Sequence, residues 1–398
     1  MRKSINTVLF DDTNRDALLP ITFTRPVSEI RIGISTLREK WELLLGINCS
    51  YLTADYLSIK YPVTLKDDNI FVNAAVIPDE NLVQSIIQLQ ENELLKQQDI
   101  ILAYRSQVAA DTSYQNLKNT FRISDYKKEV IYLKNTWDIF TLNDRVLRDD
   151  FKRITQNRTS KELSTTNQIL GNENVFAEED VKCECAIINA TTGPVYIGHG
   201  AEIMEGAVIR GPFALCDHST LKLAAKIYGA TTIGPYCKVG GEVNNSVFFG
   251  YSSKAHDGFL GNAVIGEWCN LGADTNNSNL KNNYAPVKLW SYTEGHFIDT
   301  GLQFCGLIMG DHSKCGINTM FNTGTVVGVS ANIFGSGFPR NFIPSFLWGG
   351  AGGFMVYKPE KAFETASLAM MRRSIDLTEA DKSILLKVFE LTEKYRKK

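Results

Sequence analysis

Val195-Tyr196-Ile197-Gly198-His199-Gly200-Ala201-Glu202-Ile203-Met204-Glu205-Gly206-Ala207-Val208-Ile209 sets a branched aliphatic at every sixth residue, with small residues between. The beat runs on through Leu215, Leu221, Ile227, Ile233 and Val239. It resumes in a new phase as Val247, Phe259, Ile265 and Leu271, interrupted at Ser253, and again as Met309, Cys315, Phe321, Val327 and Ile333. Gly often follows the aliphatic, as in Ile233-Gly234, Ile265-Gly266 and Val327-Gly328. A period of six suits neither a helix at 3.6 nor a lone strand at 2. It marks a stacked parallel β-helix, in which each face of a coil buries one side chain and the chain turns at a small residue.

Working outward from that beat, residues 1–150 read as an α/β domain. Val8-Leu9-Phe10, Ile70-Phe71-Val72 and Ile100-Ile101-Leu102 are short buried-strand candidates, and Thr36 to Leu45 carries apolar residues at helical spacing. Residues 151–186 form a polar linker or short helix plus loop, 187–345 the β-helix, and 346–398 a helical tail. The segment from Asn276 to Thr300 lacks the beat and holds four Asn between Asn276 and Asn282. It reads as an excursion loop, the kind of insertion that forms the binding face of a repeat fold. In the tail, Thr378-Glu379-Ala380-Asp381 has capping-box form, and Ile384, Leu385, Val388, Phe389 and Leu391 make an apolar stripe. That stripe packs on its own domain or across an oligomer interface.

Composition narrows the function. The 398 residues carry 42 Lys plus Arg against 44 Asp plus Glu, a formal net charge of −2. That balance offers no basic surface for nucleic acid. No run of about 18 apolar residues suggests a membrane span. Met1-Arg2-Lys3-Ser4 leads into a polar-punctuated strand rather than a signal core. The eight cysteines are scattered: Cys237, Cys269 and Cys315 fall on the repeat as small buried hydrophobes, and the Cys183/Cys185 pair has no second pair at zinc spacing. Free thiols in a reducing cytoplasm are the expectation. His199, His218, His296 and His312 have no partners at metal-ligand spacing and read as structural or solvent-facing.

Several segments together resemble one family. Leu9-Phe10-Asp11-Asp12, then Arg15 and Leu19-Pro20-Ile21-Thr22-Phe23-Thr24-Arg25-Pro26, are similar to the start of a sugar nucleotidyltransferase. Trp137-Asp138-Ile139-Phe140 resembles the element that closes such a domain. Ser253-Lys254-Ala255-His256, Gly261-Asn262-Ala263-Val264-Ile265-Gly266, Asn270 to Asn279 and Gly316-Ile317-Asn318 resemble an acetyltransferase half. The whole is similar to the bifunctional N-acetylglucosamine-1-phosphate uridylyltransferase/glucosamine-1-phosphate N-acetyltransferase family, in an alternative bacterial branch. The resemblance implies a Rossmann-like nucleotidyltransferase domain followed by a left-handed β-helix, a homotrimer, and biosynthesis of a sugar nucleotide from acetyl-CoA, a sugar 1-phosphate and UTP.

Amine acetylation needs a base at the amine and a donor for the thioester oxyanion. By resemblance, His256 is the catalytic base, and a neutral imidazole suits that role near physiological pH. Asn279 corresponds to an Asn that binds the amino sugar, and Lys254 and Lys288 are candidates for its phosphate. Phe259 stands where the family has Tyr, a lost hydroxyl equivalent to about 1–2 kcal/mol of binding.

Nucleotidyl transfer needs positive charge, backbone N–H groups and Mg²⁺ around the triphosphate. Here the sequence departs from the family. Asp11-Asp12-Thr13-Asn14 replaces the Gly-rich loop, Val27 replaces a lysine, Phe71-Val72-Asn73-Ala74-Ala75 lacks the usual metal-binding acid, and Tyr132 aligns with the second. Arg15, Thr22 and Arg25 remain as phosphate ligands, and Asp11 and Asp12 as holders of a metal in changed geometry. Three alternatives stay open: a nucleotidyltransferase using dTTP and glucose 1-phosphate with a purely structural β-helix, an acyltransferase alone, and a non-enzymatic sugar-nucleotide-binding scaffold.

Overall fold

The computed structural model describes residues 6–109 and 120–397; Met1-Arg2-Lys3-Ser4, read above for a leader, lies outside them. The chain divides into two compact units, one of residues 1–30 and 35–135, the other of residues 31–34 and 136–398.

The first unit is a six-stranded sheet. Its strands are β1 (Asn6–Phe10), β2 (Cys49–Leu52), β3 (Asn69–Asn73), β4 (Glu93–Gln97), β5 (Ile100–Ser106) and β6 (Arg122–Asp125), in the order β2-β1-β3-β5-β4-β6. The first three run parallel, with Phe10 opposite Leu52 and Asn73, so the C-terminal ends of β1 and β3 open side by side. That edge is where ligands sit in open α/β sheets. Val8, Phe10, Phe71 and Tyr104 fill the core, Phe71 and Tyr104 stacked at 4.6 Å. Helix α1 (Leu37–Leu45) starts one residue later than its apolar spacing suggests, because Thr36 caps it: Thr36 and Glu39 form a reciprocal capping box. Gly46 ends it in the left-handed conformation, and Trp41 anchors it by donating Nε1–H to the Val76 carbonyl at 3.1 Å. Helix α2 (Glu80–Ile87) is capped by Asp79.

In the second unit, α3 (Asn143–Thr155) precedes a parallel β-solenoid of about ten turns whose strands stack into three sheets. The aliphatic beat is the inward column of each face. Ile197, Leu215 and Ile233 stack on one, Ile203, Leu221 and Val239 on the next, and Ile209 and Ile227 on the third, all nearly or fully buried. The stacking begins earlier than the beat, with Gln168–Leu170 against Ile187–Asn189, inside the stretch expected as linker. The first coil conceals its period because its inward positions carry Ile169, Ala177 and Cys183.

The second phase of the beat needs correction. Ile209 pairs with Ile227, but Ile227 pairs with Val243, a coil two residues shorter. From there the inward side chains are Val243, Phe248, Leu260 and Ile265, while Val247 and Phe259 belong to the opposite side of their strands. The interruption at Ser253 has the same origin, since the inward position is the next residue, Lys254, stacked on Val239. The excursion also starts later than its Asn content suggests. Asn276–Asn277 is still a solenoid strand, paired with Met320–Phe321, and the loop beyond it carries an antiparallel hairpin of Lys288–Ser291 with His296–Asp299.

After the solenoid come α4 (Pro359–Met371) and α5 (Glu379–Leu391), the latter with the expected Thr378/Asp381 capping box. Ile384, Leu385 and Val388 are buried and Phe389 meets Phe346 edge-on at 5.3 Å, so this stripe packs on its own unit, with Leu391 turned to solvent. Among the described residues no helix is long and apolar enough to cross a membrane.

Candidate functional site

The sharp turn after β1 carries the first candidate group. Asp11 is buried and fully engaged: it accepts the Val27 N–H at 2.8 Å and the Thr53 hydroxyl, and Arg15 Nε lies 3.3 Å away. Burial dominates over these partners and pushes the carboxyl up to about 6. Arg15 is equally occupied, by the Asp16 carboxylate at 2.9 Å, the Tyr56 hydroxyl at 2.9 Å and the Thr22 carbonyl. Thr22 is buried and returns its hydroxyl to the Arg15 carbonyl at 3.0 Å. Arg25 is buried as well, 3% exposed. Asp11, Arg15 and Thr22 therefore form one interior cluster that shapes the turn.

Asp12 faces a different set. Its Oδ1 accepts the Asn14 N–H at 2.9 Å, and its Oδ2 accepts both the Asn73 amide at 2.8 Å and the Tyr132 hydroxyl at 2.6 Å. Asn73 lies in the segment that lacks the expected acid, and Tyr132 aligns with the second acid of the resemblance. The strand ends bring them to a single carboxylate, so one negative charge held by two neutral donors replaces a carboxylate set. Burial beside Asp12 raises the Tyr132 phenol, keeping it a donor. These residues do not fit a protein-held Mg²⁺. Asp11 turns inward, and Asp12 has one oxygen taken by two donors. No group of three metal-ligating side chains occurs among the described residues.

The second candidate group sits on the solenoid turn between Ser253–Lys254 and Phe259–Gly261. Lys254 is 1% exposed and cannot serve as the expected phosphate ligand. It occupies an inward position, where its Nζ donates to the carbonyls of Gly240 at 3.1 Å, His256 at 2.8 Å and Asp257 at 3.4 Å. Desolvation lowers its pKa to about 8. This ammonium clamps the turn from inside, and the His256 side chain stands exposed on the outside. Gly258 completes the turn at φ +110°, where a Cβ would come within 2.2 Å of the Thr275 carbonyl oxygen.

Asparagines on the neighbouring coil tie down the next strand. Asn276 Oδ1 accepts the Phe259 N–H at 2.8 Å, and Asn277 pairs with both backbone groups of Gly261, at 2.8 and 3.0 Å. Asn279 donates to Asn262 Oδ1 at 2.8 Å. The Phe259 ring and the Asn279 amide crowd Gly261 together: an added Cβ would meet them at 2.6 and 2.7 Å. Phe259 and Asn279 are thus neighbours at Gly261. Lys288 lines a separate cavity of about 690 Å³ with Lys281, Trp290, Arg340, Phe342 and Tyr395.

Three of the histidines read above as structural or solvent-facing belong to one aromatic column. His218, Tyr236, Tyr251, Trp268 and His312 stack ring on ring at a corner of successive coils, 4.2 Å apart at Tyr251 and Trp268, and His199 meets His218 edge-on. All but His199 hold a positive φ near 60°. The signal was present as an aromatic or His a few residues after each inward aliphatic, but the uneven coil lengths mask it.

Residues 7–159 match the family described as sugar nucleotidyl transferase. This match, over 153 of the 398 residues, supports a transferase with a sugar nucleotidyl transferase-like domain in its N-terminal part. No curated protein matches the chain. Among solved structures it is similar to the polysialic-acid-specific acetyltransferase NeuO, 13% identical with 48% of this chain and 82% of that one covered, TM-score 0.24. It is also similar to a mutant of AntD, an N-acyltransferase from Bacillus cereus solved with dTDP and coenzyme A, 12% identical over 52% and 92%, TM-score 0.23. A third likeness is to the Arabidopsis UDP-N-acetylglucosamine acyltransferase, 14% identical over 58% and 91%, TM-score 0.23. At these scores neither substrate nor activity transfers from them.

Proposed function

We propose that this transferase makes a sugar nucleotide at two sites: N-acetylation of glucosamine 1-phosphate by acetyl-CoA on the solenoid, and uridylyl transfer from UTP to the product at the N-terminal domain. The observation that carries the acyl-transfer half is the His256 turn. An exposed imidazole stands on a backbone that Lys254 holds from beneath, and farther along the chain Phe259 and Asn279 meet at Gly261. In the reaction the neutral amine attacks the thioester carbonyl and a C–N bond forms. His256 takes the amine proton, the C–S bond breaks, and the proton passes to the departing thiolate. The Asn279 amide is at hand for a sugar hydroxyl or phosphate. The protein works as a homotrimer built on the solenoid faces, in the cytoplasm. Light scattering that reports a monomer at micromolar concentration would contradict the trimer.

Release of free CoA from acetyl-CoA and glucosamine 1-phosphate, read with a thiol reagent, tests this half. His256→Ala is expected to lower turnover roughly 10²–10⁴-fold, the range of a positioned general base. An unchanged rate in a folded variant removes His256 from the mechanism.

The N-terminal site favours a second reading beside catalysis. With Asp12 enclosed by Asn73 and Tyr132, the domain binds a sugar nucleotide, or a nucleoside triphosphate such as UTP or dTTP, without turning it over. Pyrophosphate release assayed with UTP and with dTTP separates the readings. Turnover supports catalysis, while titration heat without turnover supports binding alone.

A further inference from the structure

A cleft of about 350 Å³ lies between the solenoid and the end of α4, lined by Lys238, Lys314, Arg372 and Arg373 together with Tyr251 and Trp268. Four cations and no carboxylate line it. None of the four forms an ion pair among the described residues. Lys314 donates to the His312 carbonyl at 3.0 Å and Arg373 to the Tyr236 carbonyl at 3.0 Å, which fixes both heads beside the aromatic column. Two acids lie close by without lining the cleft: Asp311 is buried and accepts the Glu267 N–H at 2.8 Å, and the Glu267 carboxylate acts on Tyr251. Burial pushes the Lys314 pKa down, and no carboxylate lines the cleft to offset the cost of its charge. The aromatic residues reinforce this. Tyr251 is stacked on both faces, by Tyr236 at 5.0 Å and Trp268 at 4.2 Å, so what it offers the cleft is its rim. The rim of an aromatic ring is the positive part of its quadrupole.

We propose that this cleft binds a polyanion with two adjacent phosphoryl groups, the chemistry shared by inorganic pyrophosphate, a nucleoside triphosphate and the diphosphate of coenzyme A. One such group spans Arg372 and Arg373, and a second reaches Lys238 and Lys314. The site is distinct from the His256 turn and from Asp12, none of which lines it. Its readout is binding, so it stands or falls apart from either proposed activity.

Isothermal titration of the full chain with pyrophosphate, ATP and coenzyme A, each against sodium chloride at equal ionic strength, tests it. Lys238→Gln/Arg372→Gln is the informative variant, because neither side chain holds the fold through a hydrogen bond. Lys226→Gln, on another sheet of the solenoid, is the control. At least one probe is expected to bind, about tenfold or more weaker in the double variant and unchanged in the control. Pyrophosphate binding shows that two phosphoryl groups suffice; binding of ATP alone or coenzyme A alone names the larger ligand. If no probe binds beyond the salt control, or the double variant binds like wild type, the proposal is overturned.

Discussion

Each unit buries a charged side chain beneath its candidate site, Asp11 in one and Lys254 in the other, and the two are compensated differently. Asp11, under the turn after β1, keeps a cation, a backbone N–H and a hydroxyl around it. Lys254, inside the solenoid, donates only to carbonyl oxygens, two of them from the turn that presents His256, with the charges of Asp257 and Asp274 acting on it from farther off. Asp11 and Arg15 form an ion pair inside the turn. Lys254 spends its donors on the backbone and leaves the imidazole free. A charged residue matched by resemblance to a substrate contact can thus be the brace of the site rather than its surface.

The largest effect is expected at Gly258. Gly258→Ala forces a side chain into a positive-φ position against the Thr275 carbonyl. A loss of roughly 3 kcal/mol or more in urea unfolding of the solenoid is expected, with CoA release abolished. A wild-type unfolding midpoint would break the picture of a rigid turn.

The two buried charges give opposite pH slopes. Lys254 titrates near 8 in the fold and near 10.5 unfolded, so between those values the unfolded chain binds the extra proton. Stability rises with pH across that window by roughly 3 kcal/mol, and falls back as pH drops through 8. Lys254→Met is expected to lack the rise. Asp11 is held up at about 6 against 3.8, so the fold binds the extra proton. Its contribution is full below about pH 4 and is lost as pH rises through 6, on the order of 2–3 kcal/mol. Asp11→Asn is expected to flatten stability between pH 4 and 6. Chemical denaturation across both windows reads the slopes, and equal slopes in variant and parent would erase the contrast. The smallest effect is Tyr132→Phe, which removes one hydrogen bond from Asp12 and is expected to cost about 1–1.5 kcal/mol in thermal unfolding of the first unit.

The solenoid was legible because Ile197, Leu215 and Ile233 repeat with coils of one length. It blurred where the coil from Ile227 to Val243 shortened, and Phe259 was then assigned to the inward column that Leu260 occupies. Lys254, a phosphate candidate by resemblance, stands at an inward position that periodicity does not mark, because a lysine satisfied by carbonyls replaces the expected aliphatic. The pairing of Phe259 with Asn279 at Gly261 was within reach, since the Asn-rich run flagged that coil. The closing of Asn73 and Tyr132 on Asp12 was not, because it depends on strand ends far apart in sequence.

The central claim is that the His256 turn performs acyl transfer independently of the N-terminal domain. The most direct test follows CoA thiol release and pyrophosphate release in parallel on wild-type and His256→Ala protein. The expected result is thiol release reduced at least 10²-fold in the variant, with whatever nucleotide turnover or binding the wild type shows left unchanged. Thiol release at the wild-type rate in folded His256→Ala protein would contradict the account.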